Sequence, residues 1–328
     1  MQQFFRCACF ATDNIYLRGY DLHVKYTDRQ QFWKDYEKEL AGRGCDTEEK
    51  KRAVCDQIEA EITRRKQQVE NAKSRRELIR AKYVRKHPEV YTLNEDYLEP
   101  QFKQCVQAAK DCPDKVLEHL TVISPSKRLY SLPVFKPEFC DRFVDELENF
   151  ERADLPKERP NTMNRYGVLL SDLGFDEHFL NPLRENYLTP ISKVLFPEWT
   201  GSKLDSHKAF TVRYEHGKEE DLSCHYDNAE VTLNVCLGKA FRGSEVFFCD
   251  MRSVHTERST GLLVSQAPGV GILHQGQMMH GVLSILGGTR VNMIAWMRSS
   301  EVRNRRCPMC DEVPRLVAAD GFGDGFTK

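Results

Sequence analysis

Nowhere in its 328 residues does the chain carry an apolar run approaching the roughly 20 residues that a membrane-spanning helix needs. The opening MQQFFRCACFATDN is too short, and too interrupted by Arg6, for a signal peptide, so the expected address is intracellular, cytoplasmic or nuclear. Charge of one sign is lacking too. With 48 Lys and Arg against 49 Asp and Glu, the net charge is −1, which removes any global electrostatic case for nucleic acid or membrane. GxSxG, Walker and GxGxxG motifs are missing, which speaks against the matching hydrolase, nucleotide-hydrolysing and dinucleotide-binding classes. Core material is present: 40% hydrophobic residues, with 18 Phe and 12 Tyr, make a globular protein. Twelve cysteines in an intracellular chain are expected to be mostly buried small hydrophobes, not a disulfide framework.

Composition divides the chain into three regions. Residues 1–122 are polar and helix-prone. From Asp46 onward, Val54, Ile58, Ile62, Val69, Ala72, Ile79 and Tyr83 recur at intervals of three, four or seven, which predicts a long amphipathic helix with room for one break. Asp46 with Glu49 reads as a capping box, and Pro88 as the stop. The half from Arg64 to Lys86 holds ten Lys or Arg against Glu70 and Glu77. A docking face for RNA or an acidic partner is the sharp reading. A solvated face is the preferred one, so nucleic acid is not an expected partner.

Residues 123–300 begin with a strand-like ISPSKRLYSLPVF and two helical stretches, PEFCDRFVDELENFE and GFDEHFLNPLRENYLTPISKVL. From about 205 the pattern turns to short strands. VTLNVCL puts Val231, Leu233, Val235 and Leu237 on one face and Thr232, Asn234 and Cys236 on the other. AFTVRY, SEVFFCD, GLLVS, GVGILH, MMHGVLSIL and RVNMIAWM follow. The expected class is α+β: an antiparallel sandwich or jelly roll with flanking helices, behind a helical N-terminal region. Residues 301–328 read as a tail. Its Cys307 and Cys310 form a CxxC, but no second CxxC or HxxxH follows, so a plain tail or partial site without metal is expected.

Chemistry concentrates between residues 205 and 300. His225 and Asp227 in CHYDN are two apart, so on a strand they project to one side. Iron(II) in oxygenase sites takes two imidazoles and one carboxylate on one face and leaves three positions open. Alone, an HxD triplet is a weak signal. Downstream, His280 lies before a Gly-Gly pair, and Arg290 follows ten residues after it, which suggests a hairpin that carries a fixed cation close to the metal. A guanidinium is always charged and grips a carboxylate through two parallel hydrogen bonds.

The succession of RY, HYD, VTLNVCL, GVGILHQGQMMHGV and GGTRVNMIAW resembles the 2-oxoglutarate-dependent prolyl and lysyl hydroxylases, the procollagen lysyl hydroxylase oxygenase domain above all. The separation of 53 positions from Asp227 to His280 suits that family. The resemblance implies a double-stranded β-helix (jelly roll) with His225, Asp227 and His280 as iron ligands. It gives Arg290 as the anchor of the distal carboxylate of 2-oxoglutarate, and Tyr214 and Asn234 as further cosubstrate contacts. It also implies Fe(II), 2-oxoglutarate and O2 as reactants, L-ascorbate as an accessory, and a peptidyl side chain of an unidentified protein as substrate. Arg242-Gly243-Ser244-Glu245 departs from the Gly-Gly pair common in relatives at a loop expected near the substrate. His274 competes for the third ligand position but stands 16 residues from Arg290, so a supporting role behind the ligands is expected. Two alternatives stay open: an iron-binding sensor or adaptor without turnover, and a nucleic-acid-base oxygenase.

Overall fold

A computed structural model of the protein describes residues 3–254, 261–319 and 323–327. Contacts divide the chain into two compact units, Met1–Ser74 with Asn304–Lys328, and Arg75–Arg303. Sequence composition had placed the boundaries at 122 and 300.

The smaller unit starts with three short strands, β1 (Phe5–Cys7), β2 (Ile15–Leu17) and β3 (Leu22–Val24). Helix α1 (Arg29–Gly42) follows, its first turn capped by the Asp28 carboxylate, which accepts the Gln31 amide at 2.9 Å. Helix α2 (Glu48–Lys82) is the expected long helix, and it runs unbroken for 35 residues. Its cap differs from the expected one. The Thr47 hydroxyl accepts the Lys50 amide at 3.3 Å, while Asp46 pairs with the Lys50 ammonium at 2.7 Å. A side chain directly before the first helical residue reaches the orphan amides, whereas one a position earlier does not.

Val54 and Ile58 pack with Ile15, Leu17, Val24, Phe32 and Leu40 in the smaller unit's core, whereas Ile79 belongs to the core of the larger unit. Val69 falls outside the described side chains. Several cations of the basic half are consumed internally. Arg65 is buried and donates to the carbonyls of Phe10, Asp13 and Asn14. Arg75 is buried against the Asp172 carboxylate at 2.7 Å. What reads in sequence as a basic stripe is partly a set of packing devices.

Residues 75–122 join the larger unit because their apolar side chains have nowhere else to go. Val90, Phe102, Val106 and Val116, around helix α3 (Pro100–Asp111), share one core with the sheet residues Val231, Leu233 and Val235. Helix α4 (Pro137–Arg152) adds Phe139, Phe143, Leu147 and Phe150 to the same core.

Strands β4 (Thr121–Ser124), β5 (Leu129–Pro133), β6 (Ser206–Glu215), β7 (Leu222–His225), β8 (Val231–Gly238), β9 (Phe241–Gly243), β10 (Val246–Met251), β11 (Leu262–Val264), β12 (Val270–Gln275), β13 (Met278–Val282) and β14 (Ile285–Arg298) form two antiparallel sheets. One has the order β4-β5-β12-β8-β14-β6, with β9 against β14, and the other the order β11-β10-β13-β7. Alternation along the strands sorts the side chains. Val231, Leu233, Val235, Met293 and Ala295 face the helices, while Phe210, Val212, Tyr214, Ile272 and Ile294 share a second core with Val246, Phe248 and Val282 of the smaller sheet.

The expected hairpin between His280 and Arg290 is absent. β13 pairs with β10 and β7, whereas β14 pairs with β6, β8 and β9, so the two strands lie in different sheets. Gly287 and Gly288 do not reverse the chain but lie inside β14, where pairing passes from β9 to β6 and β8. Gly288 has φ +80°, and a Cβ there would stand 2.1 Å from the Ala240 carbonyl oxygen. Only glycine permits that crossing.

Residues 304–328 are no tail. Strand β15 (Leu316–Ala318) pairs with β1, Phe5 opposite Ala318 and Cys7 opposite Leu316. The two ends of the chain fold together, because β1 alone is an unpaired edge.

Candidate metal centre

His225 ends β7, and the register of the smaller sheet sets it opposite His280 of β13, with ring centroids 4.3 Å apart. Asp227 follows two residues after His225. One oxygen of its carboxylate lies 3.8 Å from His225 Nε2, and the other lies 3.7 Å from His280 Nε2. One donor atom from each of the three side chains lies within 4.8 Å of the others. The Nδ1 atoms face the backbone carbonyls of Ser223 and Met278, at 2.8 and 3.0 Å. A carbonyl only accepts, so Nδ1 carries the proton and each Nε2 lone pair remains available to a cation.

Electrostatics agree with that tautomer. Burial pushes the His225 imidazole down to about 4, helped by His280 beside it, and burial alone takes His280 down to about 4. Both rings are neutral at physiological pH, as ligands must be. Burial raises the Asp227 carboxyl, partly countered by His225 and the Thr232 hydroxyl. A bound cation reverses that penalty.

Asp227 is held from several sides by residues that sequence reasoning missed. Thr232 Oγ1 donates to its carboxylate at 2.7 Å, its amide donates to the Gly276 carbonyl at 2.8 Å, and Gln277 Nε2 donates to its carbonyl at 2.9 Å. A Cβ on Gly276 would meet the Ala229 carbonyl oxygen at 2.1 Å. The signal for Thr232 was present in the alternation of VTLNVCL. Gly276 and Gln277 gave none without knowing which loop would approach.

His274 is fully buried. Its Nδ1 donates to the Gln275 carbonyl at 2.9 Å, and its Nε2, which has no hydrogen-bond partner among the described residues, sits 4.0 Å from Asp227. Its ring stands edge-on to His280, while Phe248 stacks on His280 at 5.6 Å.

Arg290 and Tyr214 are cross-strand partners on β14 and β6. Both are buried, and the guanidinium lies 4.8 Å from the phenol ring. Arg290 Nη1 donates to the Ser244 carbonyl, and Nε has no hydrogen-bond partner among the described residues. Among the described residues no carboxylate approaches within 4 Å. A buried, uncompensated guanidinium is costly unless an anion joins it, and a planar carboxylate matches the fork. Burial lowers the Arg290 pKa, and it raises the Tyr214 phenol to about 12. The Arg242–Glu245 loop therefore meets the guanidinium through a backbone carbonyl. Ser244, at φ 65°, adopts a left-handed conformation that glycine takes without cost.

Asn234 is buried in an amide network. Its Oδ1 accepts from Asn292 Nδ2 at 2.6 Å and from Gln266 Nε2 at 3.3 Å. Asn292 lies two residues beyond Arg290, on the same face of β14. A charged hollow of about 510 Å³, lined by Glu148, Glu151, Arg159, Tyr166 and Arg213, includes none of these residues.

The family model described as the OGFOD2-like domain matches residues 79–201. The 2-oxoglutarate and iron-dependent oxygenase domain-containing protein 2 of Xenopus tropicalis is 50% identical over 99% of this chain and 93% of that protein. Its Homo sapiens counterpart is 43% identical over 100% of this chain and 95% of that protein. Among solved structures, a prolyl 4-hydroxylase of Phytophthora capsici aligns with a TM-score of 0.43 at 15% identity, covering 66% of this chain and 70% of that one.

Proposed function

The chain belongs to the family of 2-oxoglutarate and iron-dependent oxygenase domain-containing protein 2, and from that premise we propose that it is a dioxygenase hydroxylating a peptidyl side chain. The observation that carries this reading is one pairing. Three donor atoms converge within 4.8 Å, and the same sandwich buries an arginine that, among the described residues, has no carboxylate within 4 Å. We assign His225, Asp227 and His280 as iron ligands, and Arg290, Tyr214 and Asn234 as cosubstrate contacts. The jelly-roll designation is supported by strand order. Counting β6, β7, β8, β10, β11, β12, β13 and β14 as one to eight, the sheets run 1-8-3-6 and 2-7-4-5.

The residues fit the cofactor. Two neutral imidazoles and one carboxylate are the donor set of a facial triad, and three donors leave room for a chelating cosubstrate and O2. When bound, iron(II) supplies the oxidising chemistry that couples decarboxylation of 2-oxoglutarate to succinate and CO2 with insertion of oxygen into a substrate C–H bond. The protein's own contribution is positional. Thr232 and Gln277 hold Asp227, the Ser223 and Met278 carbonyls fix the imidazole tautomers, and Phe248 covers one face of His280. Arg290 grips the distal carboxylate, and its burial strengthens that ion pair by excluding water. L-ascorbate is the proposed accessory that restores iron(II).

Arg65 and Arg75, two of the ten cations between Arg64 and Lys86, are engaged inside the protein, which weakens the basic stretch on which the base-oxygenase reading rests. The test is succinate release with Fe(II), 2-oxoglutarate and ascorbate over peptide and oligonucleotide panels. Peptide-stimulated succinate with a mass gain of one oxygen supports the proposal. Stimulation by oligonucleotides alone, or by neither, overturns it.

A further inference from the structure

β1 delivers Cys7, and the residue after next, Cys9, opens the short helix Cys9–Thr12. From the other end of the chain, Cys307-Pro308-Met309-Cys310 forms a tight turn in which the Asp311 amide donates to the Cys307 carbonyl at 2.9 Å and the Cys307 amide donates to the Glu312 carbonyl at 2.7 Å. The Ala8 amide donates to the Arg315 carbonyl at 2.8 Å, so the two cysteine pairs are clamped face to face. Cys9 Sγ lies 3.7 Å from Cys307 Sγ, Cys7 Sγ lies 4.0 Å from Cys310 Sγ, and all four sulfurs lie within 4.8 Å of one another.

Those distances discriminate between the chemistries open to four thiols. A disulfide requires sulfurs at about 2.05 Å. Four sulfurs each about 2.3 Å from a central ion at the corners of a tetrahedron stand about 3.8 Å apart. The Cys9–Cys307 and Cys7–Cys310 spacings bracket that edge, and no pair of the four exceeds 4.8 Å. Cys7, Cys9 and Cys307 are buried and Cys310 is partly covered, which leaves no open coordination position and matches a closed structural site.

The surroundings give the site a purpose. Among the described residues, the cysteine cluster includes two other buried apolar side chains, Phe5 and Phe326, with Met309 packed beside them. That apolar cluster is small, yet it must hold two chain ends whose nearest cysteines are 298 residues apart in sequence. Closing so long a loop is the situation in which a metal clip contributes most.

We propose that Cys7, Cys9, Cys307 and Cys310 bind one zinc ion that fastens the N- and C-terminal segments into a single unit. Binding displaces the thiol protons, up to four per ion, and leaves a zinc tetrathiolate with no change of oxidation state. The site is independent of the iron centre in both residues and donor chemistry. Thiolates suit zinc, while the imidazole–carboxylate set suits iron(II).

The test uses the full-length chain carrying His225→Ala and Asp227→Ala, so that zinc lodged in the other centre does not confuse the count. Elemental analysis after mild chelation is expected to find about one zinc per chain, and adding Cys307→Ser with Cys310→Ser is expected to reduce this to below about a tenth. Titrating the four thiols with an organomercurial should release the ion stoichiometrically. Should the serine variant fail to fold, cobalt(II) exchanged into the cysteine-intact chain serves instead, and intense tetrahedral bands with thiolate-to-cobalt charge transfer support the proposal. Zinc-free protein with four titratable thiols overturns it. So do disulfides between these cysteines in peptide mapping, a coloured iron tetrathiolate in place of zinc, or cobalt without charge-transfer bands.

Discussion

Three donors of the larger unit come from neighbouring strands β7 and β13 and the loop between β7 and β8, whereas the four thiols of the smaller unit come from the opposite ends of the chain. The first cluster is made of nitrogen and oxygen, draws its tautomers from backbone carbonyls, and shares its sandwich with a buried arginine that has no carboxylate within 4 Å among the described residues. The second is made of sulfur alone, with three of its four thiols buried and the fourth partly covered. An open site needs rigid sheet geometry, because its ligands must stay aligned while reactants come and go. A closed site needs only that four thiols meet, and the metal itself completes the fold. The contrast teaches that distance along the chain carries no information about the quality of a metal site, while donor type and openness carry a good deal.

Removing a ligand is the harshest way to break the comparison. Asp227→Ala is expected to abolish detectable Mn(II) binding at the larger unit's centre and all succinate formation, with the cysteine cluster untouched. Calorimetric Mn(II) titration checks this, and equal affinity in mutant and parent contradicts the ligand assignment.

A backbone change comes next. Gly288→Val places a branched Cβ at φ +80° against the Ala240 carbonyl, where 2.1 Å is available. Destabilisation of about 3 kcal/mol or more is expected, read from the urea midpoint. A loss below about 1 kcal/mol would show that β14 changes partners from β9 to β6 and β8 without needing glycine.

The pH response sharpens the comparison further. His225 and His280 are held at about 4, below the 6.5 of a free imidazole. The unfolded chain therefore takes up protons first as pH falls. The histidine contribution to stability is complete above about pH 6.5 and is lost as pH falls towards 4, with the raised Asp227 carboxyl opposing it. For the metal, protons compete only near the folded values. Mn(II) affinity is expected to stay nearly flat from pH 8 to about 5 and to collapse below that. A steep decline beginning at 6.5 contradicts the burial of these rings.

The smallest effect is expected at Ser244. Its left-handed backbone and its buried hydroxyl without a partner both favour replacement, so Ser244→Gly should raise stability by about 1 kcal/mol in thermal melts. Cosubstrate affinity should hold within about threefold, because Arg290 bonds the carbonyl and not the side chain. A tenfold loss would give the hydroxyl a role at the site.

Much of the larger unit was legible in the sequence, for physical reasons. Alternating side chains of VTLNVCL and RVNMIAWM announced strands with two distinct faces, and HYD presented two ligands to one side of the chain. The errors arose where information was not local. The Gly287-Gly288 pair reads as a turn by composition, yet here it serves a close approach to Ala240 that appears only once β9 is in place. Residues 75–122 looked like part of a separate helical region, because their apolar spacing does not say which core they enter. Cys307 and Cys310 looked incomplete, because the partners sought lay downstream while Cys7 and Cys9 lie at the other end of the chain. Arg65 and Arg75 looked like surface charge, and only the fold reveals the carbonyls and the carboxylate that hold them.

Calorimetric titration of 2-oxoglutarate into Mn(II)-loaded protein, parent against Arg290→Ala, tests the cosubstrate anchor most directly. Truncating one side of a buried charge pair costs about 2–5 kcal/mol, so the substitution is expected to weaken 2-oxoglutarate by roughly thirtyfold to several-thousandfold, with Mn(II) affinity little changed. Arg290→Lys should restore only part of the loss, since an ammonium brings charge without the fork. An affinity for 2-oxoglutarate within about threefold of the parent would mean that the buried guanidinium serves the fold alone, and that the cosubstrate is held elsewhere.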